Sequence, residues 1–392
     1  MIDYRISELN KTAVNFGVEN RVRFYNDDAV KIACNLAPYG RVAVIYNKIS
    51  FSGFGKSMTE QLKRAGIKPI NFIMPENTIL NLSSVFDVIC VPDDVRAVLV
   101  FDRELMDIAA YIATLFKIPV IFTLNSINTD GVLYAKVPFF WGGNKPETDF
   151  FTVDCVYHVI IGDNALKSDE LAEQYINVYG KLIALIDYRV KLAITGGNLY
   201  DFARETIFNA VNAVSDDLKA ETLLTYGLKI ELAGFAASGD IDFNSAEYAF
   251  KRLIGFKEEK GLRFSLIKKL TALYLLCANE NEMPFDIPDY NKRAKELAGI
   301  TKSDDGAFLK GFLAQLNALK GKDLLRLKAD LKDDIIALAD AFKVAEQNYI
   351  KLGGNLGADF SPYVKALKYC GDLPNTVNFM TVLRECGFLE SV

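Results

Sequence analysis

The stretch AVLVFDRELMDIAAYIATLFKIPVIFTLNSINTDG, Ala97 to Gly131, decides the fold. AVLVF is apolar throughout, the mark of a strand buried on both faces. MDIAAYIATLF has helical spacing, VIFTL is a second buried strand, and a polar loop closes on Asp130-Gly131. Strand, helix and strand in this order make a parallel βαβ unit, a shape on which many proteins hold a nucleotide. Yet the turn where a phosphate would rest reads Phe101-Asp102-Arg103-Glu104, with no glycine and two acids.

The same rhythm runs outward from this stretch. RVAVIYN (Arg41–Asn47), INFIM (Ile70–Met74) and VFDVICV (Val85–Val91) read as strands, and FFTVDCVYHVII (Phe150–Ile161) as a returning strand. SMTEQLKRA (Ser57–Ala65) reads as a helix that stops at Gly66, a C-cap signal. Trp141 to Pro146 is rich in turn residues. Ser52-Gly53-Phe54-Gly55-Lys56 places glycines and a lysine before a helix, but lacks the spacing of a phosphate-binding P-loop. After Lys167 the pattern turns helical: Asp169–Ala193, Leu199–Val214, Ala220–Ala237, Ser245–Leu253, Leu262–Cys277, Gly306–Leu319 and Asp323–Lys351. The expected organisation is therefore α/β plus all-α, a Rossmann-like parallel-sheet domain over 1–166 and a helical domain over 167–392. Such pairs hold ligands in the cleft between domains, beyond the carboxyl ends of the strands.

Composition narrows the function. The net charge of −5 among 392 residues gives no reason to expect nucleic acid as partner. No run reaches the length of a membrane span, and the N-terminal residues lack the pattern of a signal peptide, so a cytoplasmic location is expected. Six scattered cysteines include no C-x-x-C pair and read as buried structural thiols. There is one histidine, His158, in a strand-like run. A metal site needing two histidines is excluded by that count alone.

The order of elements, and Ala97–Gly131 above all, resembles the sn-glycerol-1-phosphate dehydrogenases. These share a superfamily with iron-containing alcohol dehydrogenases, glycerol dehydrogenases and dehydroquinate synthases. The family pattern G-G-G-x-x-x-D-x-x-K, helix, P-x-x-x-x-P-T-A-x-S-x-D-G keeps its spacing here through Asp107, Pro119 and Asp130-Gly131. The family's G-D-x-x-x-K-x-x-A-x-x-D-W-R is echoed by Ile176-Asn177, Lys181, Leu185 and Asp187-Tyr188-Arg189, and its closing helix by Asn375–Leu389. The resemblance implies a dehydroquinate synthase-like fold, NAD(P) as cofactor and a divalent metal held by one Asp and two His.

The residues that would carry this chemistry are replaced. The three glycines of the cofactor turn fall on Phe101, Asp102 and Arg103, the family lysine on Ala110, and P-T-A-x-S on Leu124-Asn125-Ser126-Ile127-Asn128. A side chain at a glycine position blocks the close approach of backbone N–H groups to a pyrophosphate, and acids repel it. The metal Asp falls on Asn177, the first His near Glu247-Tyr248, and the second near Lys260 or Arg263, none a dication ligand set. No metal is expected, and NAD(P) only by resemblance. The expected ligand residues are Phe101, Asp102, Arg103, Asp107, Asn125, Asn128, Asp130, Asn177 and Lys181. Tyr248, Lys260 and Arg263 are the candidates for any catalysis, and a cation at the last two positions would suit an anionic ligand. Two functions stay open. One is a degenerate, metal-free scaffold that binds a small anionic or polar ligand, a second copy of itself or a paralogue. The other is an active NAD(P)-dependent oxidoreductase of a polyol phosphate, such as dihydroxyacetone phosphate or glycerol 1-phosphate, working without the usual metal.

Overall fold

The computed structural model describes residues 2–74, 90–140, 148–167, 169–197, 201–256, 259–280, 289–301, 305–373 and 376–390. They form two compact units. The first contains a six-stranded parallel sheet, β1 (Val22–Tyr25), β2 (Arg41–Asn47), β3 (Lys68–Met74), β4 (Val95–Val100), β5 (Val120–Leu124) and β8 (Tyr157–Ile161), and a separate antiparallel ribbon of β6 (Lys136–Phe140) and β7 (Thr148–Thr152). Across the sheet the order is β3-β2-β4-β5-β8-β1. Registers such as Val44↔Leu99, Val98↔Val120 and Phe122↔Val159 place β-branched and aromatic residues side by side at its centre. β2 is buried over Val42–Tyr46, as a strand covered on both faces must be.

The parallel sheet is as expected, with local differences. Phe150–Ile161 is two strands rather than one: β7 belongs to the ribbon, and only β8 enters the main sheet, between β5 and β1. Most of Val85–Val91, and Trp141–Pro146, lie outside the described residues. Gly66 takes φ +82° just past helix α3 (Lys56–Arg64), the left-handed cap a glycine adopts without strain. Helices α1 (Ile2–Asn15) and α2 (Ala29–Leu36) precede α3, and α4 (Met106–Phe116) is the crossover between β4 and β5.

Leu171–Thr195 (α5), Asp201–Asp216 (α6) and Ala220–Ala236 (α7) follow. Helix α7 has helical-domain character in sequence, but it packs in the sheet unit, which takes in Lys219–Gly239. Lys229 on α7 pairs with Glu8 on α1 at 2.5 Å, and Phe235 meets Tyr157 edge to face at 5.7 Å.

The helical unit comprises most of α5, α6, α8 (Ala246–Leu253), α9 (Leu262–Asn279), α10 (Tyr290–Thr301), α11 (Asp305–Leu319), α12 (Leu324–Lys351), α13 (Val364–Tyr369) and α14 (Phe379–Glu385). Phe264 on α9 stacks on Tyr349 of α12 with ring centroids 4.4 Å apart. One carboxylate joins four helices. Asp187 on α5, fully buried, accepts from the first amides of α8 (Ala246 N, 2.7 Å) and α14 (Phe379 N, 2.9 Å) and from Tyr274 Oη on α9 (2.7 Å). Donors at two helix N-termini suit an acid, because those amides have no partner within their helices. A second buried network centres on Asp372. It takes Arg293 Nη2 at 2.7 Å on one oxygen and Arg384 Nη1 at 2.6 Å on the other, with all three side chains at 3% exposure or less.

Removing the shared acid would take a buried counter-charge from both Arg293 and Arg384, whereas an exposed pair contributes little. Asp372→Asn should lower the urea unfolding free energy by about 3 kcal/mol or more. Asp340→Asn, which breaks the exposed Lys343 pair, should stay within about 0.5 kcal/mol. Equal midpoint shifts in the two variants would contradict this account.

Candidate functional site

The strand order reverses between β2 and β4: the chain leaves β2 for β3 on one side, and β4 lies on the other. Ligands of doubly wound sheets sit outside the carboxyl ends of strands at such a point. Here that point is packed with the protein's own groups. The Phe101 ring, just past β4, stacks on Tyr46 at the end of β2 (5.9 Å, 11°). Phe54 meets Phe101 edge-on at 5.0 Å, and Phe51 meets Tyr46 at 5.5 Å. Phe101 is 8% exposed and Tyr46 fully buried. Ser52–Lys56 is no phosphate loop. Phe51–Gly55 is a π-helical turn leading into α3, and Gly55 lets Phe51 lie so close that an added Cβ would come within 2.5 Å of its ring.

Polar groups close the same place. Asp102 Oδ2 accepts from Asn47 N (2.8 Å) and Ser50 Oγ (2.5 Å), and Asn47 Nδ2 donates to Glu104 Oε1 (2.7 Å). Burial pushes the Asp102 carboxyl up, opposed by the Ser50 hydroxyl and the Asn47 amide. The backbone donor at the tip of β2 thus already serves an internal carboxylate. Tyr46, Asn47, Ser50, Phe51 and Phe54 do not stand out as site residues in the sequence. The available signal was aromatic rings on both sides of Gly53 facing a phenylalanine in the cofactor turn.

Beside this plug lies a polar cluster at the ends of β4 and β5. Arg103 Nη1 donates to the Asp130 carbonyl at 2.8 Å, and Gly131 N donates to Glu231 Oε2 at 3.2 Å. Tyr134 stands among Asp107, Asp130, Arg103 and Glu231, its phenol held well above the usual range by burial first and by the acids next. Burial raises the Asp107 carboxyl to about 7, against the Ile108 amide it accepts at 2.7 Å. Asp130 and Glu231 outweigh the single guanidinium even with Asp107 partly protonated, which leaves this cluster unsuited to a pyrophosphate. Asn128 builds the loop, its Oδ1 accepting from Asp130 N at 3.1 Å. Asn125 is exposed, with its Oδ1 against Gly162.

In the helical unit, the positions expected to hold a metal carry compensated charge instead. Glu247 Oε1 takes Arg263 Nε at 2.6 Å and Lys251 Nζ at 3.0 Å. Gly180 on α5 backs against this pair, where an added Cβ would lie 3.0 Å from Glu247 Oε2 and 3.5 Å from Arg263 Nη2. Asn177 is buried one turn earlier, and the buried Lys181 pairs with Asp242 at 2.5 Å. Tyr248 packs its ring between Phe243 (5.0 Å) and Phe256 (6.0 Å), while Lys260 is exposed. Glu247 and Arg263 are therefore brought together, and Lys260 stands apart from them. A carboxylate already holding two cations does not fit a divalent ion. Among the described residues no three His, Cys, Asp or Glu side chains are grouped to hold a metal. His158, on β8, bonds Tyr25 Oη at 2.9 Å through Nδ1 and stacks on its ring, and burial lowers its pKa to about 4.

No protein-family model and no curated protein matches the sequence. Solved structures match in fold. The iron-containing alcohol dehydrogenase of Thermococcus thioreducens is 12% identical at a TM-score of 0.55, over 94% of this chain and 96% of that one. The iron-containing alcohol dehydrogenase of Thermotoga maritima is 12% identical at 0.54, over 93% and 97%. A probable glycerol dehydrogenase of Sinorhizobium meliloti 1021 is 11% identical at 0.50, over 95% and 98%. At such identities the likeness is one of fold, and it agrees with the family resemblance in the sequence. This chain has the fold seen in these iron-containing alcohol dehydrogenases and this probable glycerol dehydrogenase.

Two stability measurements probe this site. Phe101→Ala should cost about 3–4 kcal/mol in guanidinium unfolding, because the ring fills a packed cluster. A cost below about 1 kcal/mol would mean the cluster is loose. Asp107 titrates near 4 when unfolded and at about 7 when folded, so its ionisation weakens the fold as pH climbs through that window. Asp107→Asn should therefore stabilise by about 1–2 kcal/mol at pH 8, discounted for partial solvent access, and by far less at pH 4.5. A variant less stable than the parent at pH 8 would oppose this assignment.

Proposed function

We propose that this chain is a degenerate relative of the glycerol-1-phosphate dehydrogenases, metal-free and without normal NAD(P) binding. It would serve as a scaffold for a small polar ligand, a second copy of itself or a paralogue. The observation that carries this reading is the switch point between β2 and β4, where Phe101 stacks on Tyr46 and Asp102 occupies the Asn47 amide. A dinucleotide needs open backbone donors at such a turn, and here ring and carboxylate take their place. The Glu247–Arg263–Lys251 cluster supports it independently, since a dication would have to displace two cations.

The experiment is a thermal-shift titration with NADH and NADPH, beside metal analysis and an assay with dihydroxyacetone phosphate. A cofactor at a hundredfold its dissociation constant would stabilise by about 2.7 kcal/mol, plainly visible as a raised Tm. We expect no shift with either cofactor and no turnover with or without added zinc, nickel or iron. A clear shift with cofactor-dependent turnover would sink the scaffold reading and leave a working polyol phosphate oxidoreductase in its place.

A further inference from the structure

At the outer edge of the sheet, α1 and the turn after it leave a cavity of about 320 Å³ beside β1. That volume lies at the low end for a small-molecule site. Val14 and Val22 are among its apolar walls, and Asn10, Glu19, Arg23 and Tyr25 bring polar groups to it. Two of these are already engaged. Asn10 grips β1 as a neighbouring strand would: its Oδ1 accepts from Phe24 N at 2.9 Å, and its Nδ2 donates to Phe24 O at 3.0 Å. Val22 N donates to Val18 O at 2.9 Å, so an incoming strand finds no pairing at these residues. Tyr25 Oη bonds His158 Nδ1 at 2.9 Å. The two charged groups are not engaged. Among the described residues, Glu19 and Arg23 form no hydrogen bond or ion pair, with each other or with any other side chain. Glu19 is half-exposed, but its Oε2 is withdrawn from water with no donor against it, which costs solvation energy. Arg23 is exposed, and its charge is felt at His158, whose pKa burial lowers first and Arg23 next.

We propose that this cavity binds a small aliphatic zwitterion, an α-amino acid of the leucine class, with its ammonium on Glu19 and its carboxylate on Arg23. One cavity carries an unpaired anion and an unpaired cation against apolar walls. A simple anion would leave Glu19 unanswered and meet its repulsion, and a simple cation would do the same at Arg23. A ligand with both charges answers both. The guanidinium suits a carboxylate because its planar fork can give two parallel hydrogen bonds. Val14 and Val22 then receive the aliphatic side chain, whose burial adds affinity. The site uses none of the residues of the β2–β4 switch point, so it goes beyond the reading above and can fail without it.

The test titrates L-leucine into the full-length protein carrying isotope-labelled histidine. His158 is the sole histidine, so its imidazole signals report one place, and Tyr25 joins it to the cavity. The expected result is a saturable shift of those signals with a Kd at or below about 1 mM, in keeping with so small a ligand. Isoamylamine, which lacks the carboxylate, and isocaproate, which lacks the ammonium, should each bind at least about tenfold more weakly. Glu19→Gln and Arg23→Gln should each weaken leucine by about tenfold or more. Glu19→Gln should not weaken isocaproate, which separates a lost contact from a damaged fold. No saturable shift at about 10 mM leucine would overturn the proposal. So would equal affinity for leucine and either half-ligand, or unchanged leucine affinity in either variant.

Discussion

The contact on which the sheet unit turns is short: one Asp102 oxygen accepts the Asn47 amide and the Ser50 hydroxyl. It ties the tip of β4 to the tip of β2, the two strands between which the sheet changes direction. Once that tie exists, Phe101 must lie over Tyr46, and Phe51 and Phe54 follow on the helical turn behind them. The carboxylate and the rings reinforce each other, because a bond shielded from water by aromatic surface is stronger than one in solvent. Binding a phosphate there would require breaking the tie and exposing the rings together.

The helical unit reaches the same condition by other means. Its charges are paired within it: Glu247 with Arg263 and Lys251, Lys181 with Asp242, and Asp372 with Arg293 and Arg384. A metal-binding site in such a scaffold needs negative groups that lack partners until the ion arrives. Here the acid is satisfied in advance, and Gly180 leaves room for the Glu247 and Arg263 side chains to lie against α5. In both regions the polar and charged groups complete one another.

Much of this could be read from residues alone. Apolar runs flanked by turn residues marked β2, β3, β4 and β5, and helical spacing marked α5, α7, α8, α9 and α12, because burial on two faces or one stripe leaves a plain pattern. β1 escaped notice since its VRFY is four residues at a sheet edge, with arginine beside each apolar position. The split of Phe150–Ile161 was hidden because its interruption, Val153 to Val156, is nearly as apolar as the strands. At the site, the absence of glycine at Phe101–Arg103 and the single histidine were legible. The aromatic plug was not, for it depends on a π-helical turn bringing Phe51 and Phe54 back over β2. The pairing of Glu247 with Arg263 was equally invisible, since spacing along two separate helices says nothing of which charge meets which.

Asp187 gives the helical unit a property that its secondary structure does not suggest. Helical proteins usually fold fast because their contacts are local. Here the amide of Phe379 must find a carboxylate 192 residues away before α14 has its N-terminal partner. Loop closure over that span carries an entropic cost met before any local reward arrives. Helix α14 is thus expected to dock late, and the unit to fold more slowly than its helix content alone suggests. Until α14 docks, the buried acid has the Ala246 amide on one oxygen and Tyr274 alone on the other, so α5, α8 and α9 can gather round it first and leave one acceptor position waiting for a distant helix.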